Sequence, residues 1–206
     1  MKLTTVTHVS LDGVMQGLGR SDEDRRGGFE RGGWALPLFS GESEAYLSEV
    51  FERADAFLFG RRTFEIFAGS WGRVPDPAGK PIAGPLNTRP KYVASNTLTD
   101  PDWAHSTVLA GDPAEAVADL KAASEGEVQV HGSGALVRSL LDHRLVDEIT
   151  LLVYPVIVGQ GTRLFPETGP DAALDLIDSR TTRQGLTVQV YRPGGRPEYA
   201  TTGGPS

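Results

Sequence analysis

Two strand-glycine-helix junctions constrain the fold of this chain more than any other feature. The first joins the apolar run Phe57–Phe59 to a short helical segment through Gly60. The second joins the alternating run Glu127–His131 to an amphipathic segment through Gly132–Gly134. Strands that each lead into a helix through a short turn are typical of sheets with parallel strands. We therefore predict an α/β fold: a mixed, mostly parallel sheet flanked by helices on both faces.

Hydrophobic periodicity supplies the other predicted elements. Apolar side chains at helical spacing indicate helices, and alternating or β-branched runs indicate strands. A cap signal at Asp112-Pro113 marks the clearest helix start. The last two strands are joined by a turn near Gly185 and predict an antiparallel C-terminal edge. The predicted strands cover 3–10, 56–59, 91–95, 106–109, 127–131, 149–158, 174–177 and 186–191, and the predicted helices cover 43–54, 61–67, a segment from 113 and a segment around 136–141.

Two long connections interrupt this pattern. Residues 12–33 are rich in glycine and contain the charged run 22–26, and residues 69–90 contain five prolines. Long loops inside a compact domain are usually functional, so the first loop is a candidate part of a site. We predict one domain over residues 1–192 and a flexible C-terminal tail over residues 193–206.

Composition excludes several classes of function. The 20 Lys and Arg residues against 27 Asp and Glu residues give a formal charge of −7, which disfavours nucleic acid as a partner. The absence of cysteine excludes disulfides, thiolate nucleophiles and Cys-ligated metals. The four histidines lack the spacing of a metal site, and we expect none. No apolar stretch is typical of a signal peptide or a membrane span, so we expect a cytoplasmic protein that does not bind membranes.

Both junctions have the chemistry of a phosphate site. The first turn of a helix presents free N–H groups and a positive dipole end, and glycines allow a close approach. Arg61 and Arg62 begin a helix, where their charge opposes the dipole, so an anionic ligand would explain them. Two plainer explanations remain open: a tight turn at Gly132–Gly134 and two solvated arginines. The third glycine of a dinucleotide fingerprint is missing, because Val137 stands in its place.

The order of these segments resembles the dihydrofolate reductase superfamily. It is similar in particular to the branch that contains the C-terminal reductase domain of the riboflavin-biosynthesis deaminase-reductase. The resemblance extends over residues 2–192. The segments that carry it are Ser10–Val14, Trp34–Pro37, Phe57–Phe64, Lys91–Asn96, Val130–Gly134, Val146–Ile149 and Pro155–Pro166.

This resemblance implies a single dihydrofolate-reductase-like domain that binds NADPH across the carboxyl ends of its strands. It implies that Gly60 lies at the cofactor site and that Arg61, Arg62 and Thr63 bind phosphates of the cofactor. Two arginines near a 2′-phosphate favour NADPH over NADH. By the same resemblance, Ser95 and Asn96 border the pocket of the 2′-phosphate, and the pyrophosphate is cradled by Gly132, Ser133, Gly134 and Ala135.

The substrate half departs from the folate reductases. In those enzymes an acid follows the Trp-x-Leu-Pro stretch by two residues, whereas here Phe39 occupies that place. Glu42 or Glu44 could replace the acid, or simply complement the helix dipole. Asp12 is the candidate catalytic residue, although it also suits a turn. Gln16, Trp34 and Phe39 are the candidate substrate wall, with loop packing as the alternative.

These observations lead to one main functional hypothesis and two alternatives. The main one is an NADPH-dependent reductase that transfers a hydride to a small conjugated heterocycle, pterin- or pyrimidine-like. The alternatives are the riboflavin-pathway 5-amino-6-ribosylaminopyrimidine reductase and a non-catalytic NADPH-binding protein. His8 and His131 end strands beside the proposed cleft and are minor candidates for proton donation. The apolar run Ile149–Val158 predicts a homodimer through its edge or face.

Overall fold

The computed structural model describes residues 1–200 as one sheet with helices against it. Short 3-10 turns lie in the loops. The strands are β1 (Lys2–Ser10), β2 (Ala56–Gly60), β3 (Lys91–Ala94), β4 (Ser106–Leu109), β5 (Glu127–His131), β6 (Glu148–Tyr154), β7 (Ala173–Thr181) and β8 (Thr187–Gly195), and the helices are α1 (Gly41–Arg53), α2 (Arg61–Ser70), α3 (Ala83–Thr88), α4 (Pro113–Ala123) and α5 (Gly134–Asp142).

The sheet is mixed and mostly parallel, as predicted. Its strand order is β4-β3-β2-β5-β1-β6-β8-β7. The first six strands in this order pair in parallel. The strands β7 and β8 form an antiparallel hairpin, and β8 pairs antiparallel with β6. The predicted antiparallel C-terminal edge is therefore confirmed.

The helices cover opposite faces of the sheet because the crossovers run in opposite directions. Side chains of α1, α2 and α3 pack with Val6, Phe57 and Phe59 on one face. Side chains of α4 and α5 pack with Leu58 and Val130 on the other face. The crossover from β1 leads to β2, toward the β4 edge, and the crossover from β5 leads to β6, toward the β7 edge. Because both crossovers are right-handed, their helices must lie on opposite faces of the sheet. The neighbouring strands β1 and β5 thus send their connections to different faces, which makes the gap between their carboxyl ends a topological switch point.

Several boundaries differ from the sequence prediction. The helix α3 lies inside the proline-rich connection, where no helix was predicted, and Pro85 occupies its first turns. Proline is tolerated there because the first N–H groups of a helix need no intrahelical acceptor. The predicted strand 149–158 ends at Tyr154, and β7 is longer than predicted. The strand β8 continues through residues 193–195 of the predicted tail, and residues 201–206 of that tail lie outside the described part of the chain.

The predicted edge for dimerisation is not free. The strand β6 pairs with β1 on one side and with β8 on the other, so its backbone groups are already satisfied. Within residues 1–200, the unpaired edge next to this region belongs to β7. The homodimer itself stays a prediction. In the same described residues, every helix is too short or too polar to span a membrane.

Candidate functional site

The two strand-glycine-helix junctions follow the neighbouring strands β2 and β5, next to the switch point, and bond to each other. The backbone N–H of Gly60 donates to the Ser133 hydroxyl at 3.0 Å. The backbone N–H of Ser133 donates to the Thr63 hydroxyl at 3.1 Å. A Cβ atom added to Gly60 would meet the Ser133 side chain at 3.7 Å, so the two turns are in close contact. The first turns of α2 and α5 therefore form one continuous surface.

Both helices begin without a side-chain cap. Neither Gly60 before α2 nor Ser133 before α5 gives a capping bond, so the first N–H groups of each helix stay open to a ligand. Ser133 has a φ of 52°, and its hydroxyl donates to the His131 carbonyl at 3.2 Å and does not cap α5. The hydroxyl positions the two turns, and the open N–H groups are what could bind an anion.

The two arginines at the start of α2 have different surroundings. Arg61 donates to Glu65 at 2.7 Å and to the Thr97 hydroxyl at 2.6 Å. Arg62 is half exposed, and its guanidinium lies 4.0 Å from Asp24 of the long loop. Asp24 is already held by Arg26, which donates to it at 2.6 Å and lowers its pKa. Arg62 thus has a weak protein partner and is available to a phosphate.

Ser95 and Asn96 follow β3 at the same edge of the sheet. The Ser95 hydroxyl accepts from the backbone N–H groups of Thr97 and Leu98. The Asn96 amide bonds both the N–H and the carbonyl of Gly111, at 2.6 and 3.1 Å. Both side chains therefore shape the loops after β3 and β4. Their role beside a 2′-phosphate stays a prediction.

The glycine turn before α5 is covered by the long loop. A Cβ atom at Gly134 would lie 2.5 Å from the Met15 sulfur, so the thioether rests on this glycine. Ala135, the next predicted cofactor residue, is exposed. Open N–H groups, a glycine that permits close approach and a nearby arginine fit a phosphate-bearing dinucleotide. Its binding here requires the flexible Met15 side chain to move aside.

Asp12 joins the end of β1 to the segment after β6. Its carboxylate accepts from the N–H groups of Val158 and Gly159 at 2.9 and 2.8 Å. It also accepts from the Ser10 hydroxyl at 2.7 Å. Burial by itself would raise the pKa of Asp12, but these hydrogen bonds outweigh it and lower the pKa to about 2. A carboxylate so fully bonded is ionised at neutral pH, which favours a structural role over proton donation.

Gln16 and Trp34 anchor the long loop. The buried Gln16 amide donates to the carbonyls of Asp24 and Arg26 and accepts from the N–H and hydroxyl of Thr162. The Trp34 indole donates to the Gln16 carbonyl at 2.8 Å. All hydrogen-bonding capacity of the Gln16 amide is used within the protein. Trp34 is partly buried, so part of its ring is available to line a cleft.

Residues 38–44 contain no buried carboxyl group that could take the place of the missing acid. The Phe39 ring is 38% exposed and packs in none of the buried clusters. Glu42 accepts from the Arg183 backbone at 2.8 Å and pairs with its side chain. That contact ties α1 to the turn of the β7–β8 hairpin. Glu42 is therefore engaged by the hairpin and is not placed to act as the substrate acid. Glu44 is exposed on α1.

The side chains of His8, Tyr154 and Trp34 form a cluster on the α1 face, beside the switch point. The Nδ1 atom of His8 is 2.9 Å from the Tyr154 hydroxyl, and the two rings stack at 5.8 Å. Trp34 packs edge-on against Tyr154 at 5.5 Å. Burial lowers the pKa of His8 to about 4 and raises the pKa of Tyr154 above its ordinary value. Both side chains are therefore neutral near pH 7.

His131 lies deeper in the same face and is enclosed by protein. Its ring stacks on Phe51 at 4.3 Å, and its Nε2 atom is 3.0 Å from the Gln129 amide oxygen. It is 3% exposed. Burial, with a smaller effect of the neighbouring His8, lowers the pKa of His131 to about 3. These contacts make His131 a core residue in this structure.

Sequence reasoning missed three residues of this region. Met15 and Asp24 lie in a loop without periodicity, so nothing in the sequence placed them over α5 and α2. Tyr154 is one of many apolar residues in its strand, but its parity with Leu152 puts it on the α1 face. That alternation could have paired it with His8.

Within residues 1–200, no three His, Asp or Glu side chains are grouped to hold a metal ion.

The chain is similar to known proteins over most of its length. A family model described as the RibD C-terminal domain matches residues 1–188. The uncharacterized protein YyaP of Bacillus subtilis (strain 168) is 26% identical over 150 residues, which are 72% of this chain and 79% of YyaP. The uncharacterized protein YwjB of the same organism is 26% identical over 157 residues, 76% of this chain and 84% of YwjB.

Two solved structures share the fold. A putative riboflavin biosynthesis protein from Shewanella sp. PV-4 superposes with a TM-score of 0.71 at 23% identity, covering 94% of this chain and 99% of that protein. A pyrimidine reductase-like protein from Corynebacterium diphtheriae superposes with a TM-score of 0.64 at 15% identity, covering 93% and 91%. At these identities the comparison establishes the shared architecture.

Proposed function

Because the chain belongs to the RibD C-terminal domain family, we propose that it is a cytoplasmic NADPH-dependent reductase of a small pyrimidine- or pterin-like heterocycle. Family membership alone does not identify a reaction, so the proposal depends on the site. The solved structures that share the fold carry the names of a putative riboflavin biosynthesis protein and a pyrimidine reductase-like protein. Those names support a reductase and a heterocyclic substrate.

The observation that carries the proposal is the contact between the two junctions next to the switch point. Ser133 bonds Gly60 and Thr63, and so brings two uncapped helix starts together. Each start offers open N–H groups to one phosphate of a dinucleotide. A ligand at this position lies outside the carboxyl ends of β2 and β5, beside the switch point, and open α/β sheets bind nucleotides at this edge.

The residues around the junctions have complementary roles in this proposal. Arg62, with Arg61 beside it, attracts the dianion of a 2′-phosphate, which favours NADPH over NADH. Gly134 lets the pyrophosphate approach the first turn of α5. The bound nicotinamide would supply a hydride to the heterocycle. The anchored long loop, with Met15 and Trp34, would exclude water from that end of the cleft.

A second candidate is the riboflavin-pathway 5-amino-6-ribosylaminopyrimidine reductase itself. The family match over residues 1–188 favours it. It differs from the first candidate only in the substrate, and the proposed cofactor site is the same. The non-catalytic alternative keeps the cofactor site without turnover, and the same measurements separate all three.

The test is a fluorescence titration of the purified protein with NADPH and, separately, with NADH. We expect NADPH to bind at least tenfold more tightly, and Arg62→Ala to remove most of that preference. Arg53→Ala is the matched control, because Arg53 is a half-exposed arginine that pairs with Glu127 at the amino end of β5, at the opposite end of that strand from the junctions. Failure to bind either nucleotide would contradict the proposal.

Turnover is measured by the loss of NADPH absorbance with a panel of heterocycles. Oxidation of NADPH with a pyrimidine or pterin supports the reductase, and activity confined to 5-amino-6-ribosylaminopyrimidine 5′-phosphate supports the second candidate. Tight NADPH binding without turnover of any panel member favours the non-catalytic alternative.

A further inference from the structure

The geometry points to His8 as the residue that contacts the heterocyclic substrate through its Nε2–H, with Tyr154 as the positioning residue that fixes the His8 tautomer. This inference rests on the proposed function, because it assigns a substrate contact within the same cleft. It replaces the expectation that Asp12 supplies the polar group of the substrate half. Four observations carry it, and they concern position, exposure, tautomer and chemistry.

The first observation is the position of His8 at the switch point. The ladder between β1 and β5 ends at the pair Val6 and His131, and Gly132 donates to the Val6 carbonyl at 3.0 Å. Residues 7–10 of β1 therefore extend beyond the end of β5. His8 lies on this projecting part and on the α1 face, as Val6 does. A ligand that extends from the Gly132–Gly134 turn toward the carboxyl end of β1 would lie beside His8.

The second observation is that one ring nitrogen of His8 is open. Nδ1 contacts the Tyr154 hydroxyl, and within residues 1–200 Nε2 makes no hydrogen bond. Among the described residues, the buried side-chain atoms without a hydrogen-bond partner are the hydroxyl oxygens of Thr5, Thr7, Ser106 and Thr182. The Nε2 atom of His8 is not one of them, so it is not completely buried. His8 as a whole is partly exposed. The Nε2 atom of His8 is therefore unpaired and not completely buried, whereas the Nε2 atom of His131 is bonded to Gln129.

The third observation concerns the tautomer. The Tyr154 side chain is fully buried, and His8 is its hydrogen-bond partner within the described residues. If the Tyr154 hydroxyl donates to Nδ1, its proton is satisfied and the proton of neutral His8 resides on Nε2. The opposite arrangement would leave a buried O–H without an acceptor, which is unfavourable. Tyr154 thus fixes His8 as a donor toward the cleft.

The fourth observation is the chemistry of the surroundings. Trp34 packs on Tyr154, so an aromatic wall borders the donor. A flat heterocycle with a carbonyl oxygen suits a site with an aromatic wall and one N–H donor. Burial keeps His8 neutral at pH 7, because its pKa lies near 4. A neutral imidazole donates a hydrogen bond and does not transfer its proton, so His8 orients and polarises the substrate.

The experiment measures binding of lumazine, a pteridine-dione with two carbonyl acceptors, to the full chain by calorimetry in the presence of NADPH. We expect His8→Phe, which retains an aromatic ring against Tyr154, to weaken lumazine binding at least tenfold. We expect His8→Gln to recover part of the affinity, because its amide again offers an N–H donor. His143→Gln, an exposed histidine after α5, is the control and should bind as the wild type does.

The decisive arm of a second readout uses the wild-type protein and needs no variant to fold. In ¹⁵N-labelled wild-type protein, His8 should show the neutral tautomer protonated at Nε2, and lumazine should shift that resonance. Tyr154→Phe should raise the fraction protonated at Nδ1. Wild-type protein that binds lumazine no better than His8→Phe, or an Nε2 resonance unmoved by lumazine, overturns the assignment. Because NADPH binding is titrated separately, loss of the proposed function and loss of this inference give different results.

Discussion

At the residue scale, Asp12 shows how a candidate catalytic group becomes a structural one. Its carboxylate holds the N–H groups of Val158 and Gly159 and thereby connects β1 to the segment after β6. Arg163 lies 3.4 Å from the same carboxylate. Asp12 thus shares with Gln16 the contacts that hold the long loop to the segment 158–163.

We predict that Asp12→Asn lowers the free energy of unfolding by about 1–3 kcal/mol at pH 7, because a charged acceptor of several hydrogen bonds is lost. Since the folded-state pKa of Asp12 is about 2, below the ordinary 3.8, its contribution is present above pH 3.8 and is lost as the pH falls through about 2. Urea unfolding measures both effects. The control is Asp22→Asn, whose exposed carboxylate pairs with exposed Arg20. An Asp12→Asn protein of wild-type stability without hydride transfer would instead support a catalytic role.

Lys91 is a second residue whose environment determines its behaviour. Its fully buried ammonium donates to the carbonyls of Leu86 and Arg89, and lies 4.8 Å from the Trp103 ring. It has no carboxylate partner within residues 1–200. Burial lowers the pKa of Lys91 from 10.5 to about 8. The folded protein therefore binds this proton less tightly than the unfolded chain does.

We predict that Lys91 makes the protein more stable as the pH rises from about 8 toward 10.5, because unfolding takes up a proton over this interval. Lys91→Met removes the titrating group and should flatten this part of the profile. Urea unfolding at pH 7.5 and 9.5 measures the difference between the two proteins. Lys80→Met, at an exposed lysine, should keep the wild-type profile; an equally steep rise in Lys91→Met would contradict the prediction.

At the element scale, the decisive feature is that two helices of opposite faces begin at one place. The helix α2 follows β2 on one face, α5 follows β5 on the other, and Ser133 bonds the two turns together. Ser133 adopts a left-handed backbone conformation in this turn, with a φ of 52°, and this conformation is strained for a residue that has a Cβ atom. The strands β2 and β5 are adjacent and parallel, which brings their carboxyl ends together.

We predict that Ser133→Ala destabilises the protein by about 1–3 kcal/mol, because it removes the acceptor of the Gly60 N–H and keeps the left-handed strain. Ser133→Gly loses the same hydroxyl but relieves that strain, so it should be more stable than Ser133→Ala by about 1 kcal/mol. Urea unfolding gives both values, and an NADPH titration shows whether the misplaced turns also weaken binding. Equal stability of the two variants would contradict this account of the turn.

At the scale of the whole molecule, the hairpin of β7 and β8 leaves one long edge. Within residues 1–200, β7 pairs with β8 alone, and it exposes 56% of Leu176 and 41% of Ile177. Exposed apolar edge strands pair readily with other strands. We propose that the homodimer forms here, by antiparallel pairing of β7 with its copy across a two-fold axis.

The prediction is a sedimentation mass of two 22.1 kDa chains at micromolar concentration. The double variant Leu176→Lys/Ile177→Lys should sediment as one chain with unchanged far-UV circular dichroism, because lysines on an edge strand oppose its pairing with another strand. Leu36→Lys, at a leucine 59% exposed elsewhere, should remain dimeric. A wild-type mass of one chain would rule out the dimer, and a dimeric double variant would rule out this edge.

The sequence by itself determined the elements and their class, because strand and helix periodicity and glycine turns are local properties. It predicted the positions of β1 to β5 closely, the antiparallel edge and the placing of candidate residues after β1, β2, β3 and β5, whereas β6, β7 and β8 each end four residues away from the predicted end. It missed α3, since six residues with a proline carry little periodicity. Local sequence also led to Asp12, Gln16 and Ser133 as groups at the site.

Only the tertiary structure decided what those groups bond to. Asp12, Gln16 and Ser133 are satisfied by residues distant in the chain, Val158, Thr162 and Gly60, and no local pattern records such partners. The same holds for the neutral His8–Tyr154 pair, because its pKa values follow from burial between a sheet and a loop. Periodicity fixes which face a side chain takes, whereas long-range packing fixes its solvent, its partner and hence its charge.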